Sequence, residues 1–346
     1  MLGCGHLMLV TNVLLRSTKP GLVVSQNLFN SAKSVRMKFS TFSALFAIAS
    51  QLGNVSALGD LGLCLGVKRN SDGQCKETSD YESDFDILKA YTTTVRVYAA
   101  SDCNTLQNIY PALESKGFSL FLGVWPTDDA HFQAEQTALT TYLPQISIDT
   151  IRGITVGSEA LYRKDLTADE LADKINTIKQ LLSGIKDKNG NSYSALPVGT
   201  ADSWNLFVAG YNAPAIEACD FVFANAFSYW QGQTMANASY SYSDDIMQAM
   251  EHIQSVKGSD IDIWVGETGW PTEGENFGDS VPSAQNAQQF WKEGICALRA
   301  WGVNTFVFEA FDETWKPSTS DTSGVENHWG ILDSNGTPKY DLSCDF

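Results

Sequence analysis

Beyond residue 57 the chain alternates short apolar runs with longer stretches whose apolar positions recur at helical spacing. Leu61–Val67 reads as a strand and Tyr81–Tyr91 as an amphipathic helix. Thr94–Tyr98 alternates as a strand, and Thr105–Lys116 follows as a helix stopped at Gly117. Ser119–Val124 is a strand leading into Trp125-Pro126, with a helix over Ala130–Tyr142 behind it. Thr150–Val156 is a strand running into Gly157-Ser158-Glu159. Thr167–Lys186 is a helix whose Thr167-Ala-Asp-Glu170 start has the form of a capping box. The second half continues in kind. Strand Pro197–Thr200 precedes a helical stretch near Trp204–Tyr211, and strand Phe221–Asn225 precedes helix Ser243–Val256. Strand Ile261–Val265 precedes helix Ser283–Trp301, and strand Thr305–Phe308 opens a loop tail.

These eight alternations, of which the last helix is poorly marked, call for a parallel sheet. A single (β/α)8 barrel, typically about 250 residues long, fits residues 58–346. An open doubly wound sheet is the alternative. It would want a glycine-rich phosphate loop after the first strand, and Leu65-Gly66-Val67-Lys68 is no G-x-G-x-x-G. The pattern therefore predicts the closed barrel.

The N-terminus departs from this pattern. All 40 acidic residues lie beyond residue 59, whereas residues 1–57 hold Arg16, Lys19, Lys33, Arg36 and Lys38; the remainder carries 18 bases against 40 acids. Met37-Lys38, the apolar run Phe39–Leu52 and the small residues of Val55-Ser56-Ala57 read as a secretory signal peptide over 37–57. The run is short for a membrane anchor, and Leu342–Phe346 lacks the tail of a lipid-anchor signal. Residues 1–36 are then expected to be an over-extended gene model. Cysteine usage agrees with export. With Cys4 set aside, Cys64, Cys75, Cys103, Cys219, Cys296 and Cys344 allow three disulfides. Asn237-Ala-Ser and Asn335-Gly-Thr are glycosylation sequons. A secreted, extracellular or cell-wall monomer is expected.

Charge narrows the partners. A net −17 with a pI near 4.5 argues against nucleic acid and against an anionic membrane surface, and favours a neutral ligand. In a barrel the chemistry sits at the C-terminal ends of the strands. There the chain places Tyr98, Trp125, Ser158-Glu159, Asn225 with Phe227, Tyr229 and Trp230, then Glu267 and Trp270. Glu309, Asp312, Glu313, Trp315 and Lys316 close the series. His131, His252 and His328 lie beside no motif, so no zinc site or other metal is expected, and no cofactor. No nucleophile elbow supports a serine triad. Acids among aromatic faces suit a hydroxyl-rich ring, a sugar. Two carboxylates about 5–5.5 Å apart form the retaining glycosidase pair.

Val156-Gly-Ser-Glu159 and Val265-Gly-Glu-Thr-Gly-Trp-Pro271 resemble the two active-site motifs of glycoside hydrolase family 17. Phe308-Glu-Ala-Phe-Asp-Glu313, Asn225-Ala-Phe-Ser-Tyr-Trp230 and Glu326-Asn-His-Trp-Gly330 strengthen the likeness, which spans about residues 60–344. The nearest branch in pattern is that of fungal cell-wall β-1,3-glucanases and glucanosyltransferases. The resemblance implies catalytic acids at the ends of strands 4 and 7, with Glu159 as proton donor and Glu267 as nucleophile. It also implies a supporting cluster of Glu313, Lys316 and Glu326, and a tyrosine, Tyr98, at the site. Ser158 stands where plant members usually have Asn. Trp125, Asn225, Tyr229 and Trp270 are further candidate sugar contacts. The implied activity is retaining hydrolysis of β-1,3-glucan or laminarioligosaccharides. A predominant glucanosyltransferase and a glucan-binding wall protein with little turnover are the alternatives. The crowd of acids at Glu267, Glu309, Asp312 and Glu313 is expected to keep Glu159 protonated.

Overall fold

The computed structural model describes residues 58–317, 319 and 322–346. The expected extension over 1–36, the expected signal peptide over 37–57 and Cys4 lie outside the described residues.

Eight parallel strands form the sheet: β1 (Leu61–Cys64), β2 (Thr94–Arg96), β3 (Ser119–Val124), β4 (Ile151–Ser158), β5 (Val198–Ser203), β6 (Phe221–Asn225), β7 (Asp262–Val265) and β8 (Thr305–Val307). Each pairs with the next in chain order, and β8 returns to β1 with Leu61 opposite Thr305 and Leu63 opposite Val307. This is the closed barrel expected from the alternation. The helices between strands are α1 (Thr78–Leu88), α2 (Thr105–Lys116), α3 (Asp129–Tyr142), α4 (Ala168–Ser183), α5 (Trp204–Val208), α6 (Ala213–Ala218), α7 (Met235–Lys257), α8 (Ala284–Phe290) and α9 (Ala297–Ala300). Between α8 and α9, Trp291–Cys296 widens into a π turn. No α-helix follows β8 among the described residues. None of the described helices is long and apolar enough to cross a membrane.

Local chemistry accounts for most of these bounds. α2 ends where Gly117 takes a left-handed φ of 72°, a backbone shape that costs glycine little. α4 begins with the expected capping box: Thr167 accepts from the Glu170 N–H, and Glu170 accepts in return from the Thr167 N–H. Two expectations need correction. α7 starts eight residues earlier than Ser243, because Ala238, Ser241 and Tyr242 are buried against the barrel and packing outweighs the poor helix propensity of a serine- and asparagine-rich turn. Of the six cysteines among the described residues, four form two disulfides, Cys75–Cys103 and Cys296–Cys344, while Cys64 and Cys219 are buried and free.

The barrel interior is packed with aromatic rings. Phe121, Phe221, Phe223, Trp264 and Phe306 form one cluster with Cys64 and Ala201. Trp264 stacks on Phe306 at 5.2 Å between centroids, and Phe121 meets Phe223 edge-on at 5.0 Å. This plug fills the floor beneath the C-terminal rim and leaves the rim as the place where polar groups converge.

Candidate active site

β4 and β7 each end in a glycine step that lifts an acid onto the rim. On β4, Gly157 and Glu159 both have left-handed φ, 81° and 56°. For a non-glycine residue this costs of the order of 1 kcal/mol or more, and such outliers gather at functional sites. The turn is held by its surroundings. Glu159 N–H donates to Ala201 O at 2.9 Å, and Asp202 at the end of β5 accepts from the N–H groups of Leu161 (2.8 Å) and Tyr162 (3.2 Å). On β7, Gly266 leaves no room for a Cβ, which would lie 2.6 Å from Asn225 Oδ1, and Glu267 follows, buried.

Each of the two acids is held by its own polar partners. Arg96, fully buried on β2, donates from Nη1 to Glu267 Oε1 at 3.0 Å and to Gly266 O at 2.8 Å, and from Nη2 to Ser158 Oγ at 3.3 Å. Ser158 Oγ in turn donates to Glu267 Oε1 at 3.3 Å, so its role is direct and protein-facing. Asn225 Nδ2 donates to Glu159 Oε1 at 3.1 Å. Burial first, and then the Glu267 charge, push Glu159 up to about 7. The expected contribution of Glu309, Asp312 and Glu313 is not what does this, because those acids have lysines of their own. Lys316 Nζ bridges Glu309 (2.7 and 2.8 Å) and Glu313 (2.9 Å), and Lys339 pairs with Asp312.

Lys316 and its acids form a second buried cluster beside the pair. Burial would lower Lys316, but the charges of Glu309 and Glu313 outweigh it and hold the ammonium above its usual range. Glu326, half-buried, is raised by burial and faces both Lys316 and Glu267. Thus Glu313, Lys316 and Glu326 converge as expected, and Glu309 joins them. The Tyr98 ring lies 4.8 Å from the Arg96 guanidinium, and Trp125 lies 4.9 Å from that of Arg163.

Two expected sugar contacts are placed elsewhere. Tyr229 and Trp270 are 0% and 2% exposed. Tyr229 is boxed by Trp230, Trp270, Phe277 and Trp329, and Trp270 Nε1 donates to Val281 O at 3.0 Å. Their faces are covered by other rings, so they pack the wall behind the rim and offer no platform to a ligand. The alternation in Thr94–Tyr98 marks the strand but does not by itself single out Arg96. A charged residue in the middle of Thr94-Val-Arg-Val-Tyr98, in step with Tyr98, was the available signal. His131 also has partners that its sequence neighbourhood did not suggest. Its Nε2 lies 3.1 Å from both Asp102 Oδ1 and Glu135 Oε1, a trio whose donor atoms could hold a metal ion. The buried Glu135 also takes the N–H groups of Ala100 and Ser101, which ties α3 to the loop after β2.

A parallel eight-stranded barrel hosts many chemistries, and here it brings two acids, Glu159 and Glu267, to one polar rim. The model for glycosyl hydrolases family 17 matches residues 61–344, and the chain belongs to that family. It is 64% identical over 316 residues to a glucan 1,3-beta-glucosidase of Saccharomyces cerevisiae, covering 90% of this chain and 100% of that one. Among solved structures it is similar to the family 17 β-1,3-glucanosyltransferase of Rhizomucor miehei, with 30% identity, a TM-score of 0.70 and coverage of 82% and 97%. An active-site mutant of that enzyme in complex with laminaritriose matches at 28% identity and a TM-score of 0.69, covering 82% and 98%.

Proposed function

We propose that this protein is a retaining glycosidase acting on β-1,3-glucan at the cell wall or outside the cell. The observation that carries the reading is the pairing of a carboxyl raised to about 7, Glu159, with a second carboxyl, Glu267, seated on the Arg96 fork. The activity named for the yeast relative and the laminaritriose bound to the Rhizomucor mutant support the substrate class.

Glu267 attacks C1 of the glucosyl unit while Glu159 gives its proton to the departing oxygen, which keeps the electron pair of the broken bond. The glycosyl-enzyme is then attacked by an acceptor whose proton returns to Glu159, and Glu267 departs as carboxylate. Water as acceptor gives hydrolysis; a glucan hydroxyl gives transfer, in agreement with the glucanosyltransferase neighbour. Tyr98, Trp125, Ser158, Asn225, Glu313, Lys316 and Glu326 are the proposed substrate-side groups, with Ser158 and Asn225 acting through the acids they hold. Glu267→Ala removes the nucleophile. Turnover of laminarioligosaccharides by that variant should fall by at least 10⁴-fold while laminarin binding and the circular dichroism spectrum stay as in the parent. Turnover within tenfold of the parent's would remove the assignment.

A further inference from the structure

The trio of Asp102, His131 and Glu135 lies outside the acid pair and has no part in the proposed reaction. His131 and Glu135 stand four residues apart on α3, so one turn of helix presents the ring and the carboxylate side by side. Asp102 comes from the loop after β2. His131 Nε2 lies 3.1 Å from Glu135 Oε1 and 3.1 Å from Asp102 Oδ1, and the three donor atoms lie within 4.8 Å of one another. An imidazole carries at most one hydrogen on Nε2, and two carboxylate oxygens compete for it here. A divalent cation engages all three donors at once. Two donor atoms about 2.1 Å from one ion and about 95° apart stand about 3.1 Å from each other. That is the spacing both oxygens keep to Nε2.

The three side chains differ in how they are held. Glu135 is fully buried and fixed: Oε2 accepts from the N–H groups of Ala100 at 2.7 Å and Ser101 at 3.3 Å, and Oε1 accepts from Ser101 Oγ at 2.7 Å. Bonds of this kind orient a ligating carboxylate before the ion arrives. The side chains of His131 and Asp102 are 24% and 51% exposed, which leaves a path from solvent and lets Asp102 close on the ion. The donor set selects the metal. An imidazole suits Zn²⁺ and its transition-metal neighbours, whereas Ca²⁺ and Mg²⁺ favour all-oxygen surroundings. We propose that Asp102, His131 and Glu135 bind a divalent transition-metal ion of the Zn²⁺ class, which fastens the loop after β2 to α3. Nε2 coordinates through its lone pair, with the ring hydrogen on Nδ1, and water completes the coordination. The ion complements a tie already present. Cys75–Cys103 joins the residue next to Asp102 to the segment between β1 and α1. With the ion in place the loop is pinned on both sides, and it continues the strand that carries Arg96 and leads through Tyr98.

The test titrates Zn²⁺ into chelator-treated protein by calorimetry and follows Tm. The parent should bind one ion per chain, and its Tm should rise by about 5 °C at Zn²⁺ about 100-fold above Kd. Mg²⁺ at the same concentration should leave Tm unchanged. Asp102→Asn and His131→Gln should each bind Zn²⁺ about tenfold more weakly or worse, and lose most of the shift. Asp102→Asn alters only a solvent-facing side chain, so its metal-free Tm should match the parent's within about 2 °C, and a lost response there is not a lost fold. No stoichiometric binding by the parent would overturn the site. Zn²⁺ binding at parent strength in both variants would do the same, because the ion would then sit on other acids. An equal Tm shift with Mg²⁺ would overturn the assignment of a transition metal.

Discussion

Arg96 makes three hydrogen bonds in one small region, to Glu267, Gly266 and Ser158, and its guanidinium lies 4.8 Å from the Tyr98 ring. A guanidinium presents this fork as one rigid unit; an ammonium offers a single point of charge. Arg96→Lys keeps the charge but cannot reach both Glu267 and Ser158 with the same geometry. Its kcat/KM on laminarin should fall about 10²-fold, the usual cost of losing one preorganised electrostatic donor. Arg96→Met removes the charge as well. It leaves Glu267 without its buried partner, and urea unfolding should show a loss of about 3–5 kcal/mol. Parent-like kcat/KM in Arg96→Lys would make Arg96 a packing residue only. The same scale shows what single residues reveal in advance. Glu159 and Glu267 were legible because each follows a strand-glycine step. Tyr229 and Trp270 were misjudged because a ring near a rim looks alike in sequence whether it faces a ligand or another ring.

Among elements, β1 shows how a strand end shapes the site. The apolar run suggests a strand to Val67, but the strand ends at Cys64, Gly66 lies against the Glu313 carboxylate and the chain bends at Val67. A Cβ on Gly66 would lie 1.4 Å from Glu313 Oε1, so the carboxylate must move off Lys316 to admit it. Gly66→Ala should therefore cost activity out of proportion to stability. We expect kcat/KM to drop about 10²-fold, as a 1 Å misplacement near the chemistry can do, with a Tm within a few degrees of the parent's. Parent-like kinetics would show that the cluster tolerates displacement and contributes little. The elements missed from sequence share one cause. The early start of α7 and the short α6 have weak local signals: serines and asparagines in one, Pro214 in the other. Both are helical because buried residues such as Tyr242 and Ile216 have a barrel to pack on, information that local propensity does not contain.

For the whole molecule, the same burial that prepares the site sets the pH at which the fold is firmest. Glu135, Glu159 and Asp245 are raised to about 7 and Asp202 to about 8, each chiefly by burial. In the unfolded chain such carboxyls titrate near about 4. Between those values the folded form binds protons that the unfolded form has released. Stability from these groups is therefore full below about pH 4 and is lost as pH rises through 7 to 8. Asp187 and Asp341 behave oppositely. Burial opposes the charged form of Asp187, but backbone and Asn191 donors outweigh it, and Ser343 and Lys292 favour the charged form of Asp341; both are held at about 2, so their contribution is lost as pH falls from about 4 toward 2. Together with 18 bases against 40 acids beyond residue 57, whose mutual repulsion grows with pH, these opposed trends place the optimum in mild acid. Scanning calorimetry from pH 3 to 9 should find the highest Tm at about pH 4–5 and a steady decline toward pH 8. Asp245, buried and accepting from Gln231, lies outside the acid pair. Asp245→Asn removes one of the linked protons and should flatten the decline without moving the acid-side slope. A Tm that stays level or rises between pH 5 and 8 would mean that these carboxyls are solvated in the folded protein, and with them the basis for a protonated Glu159.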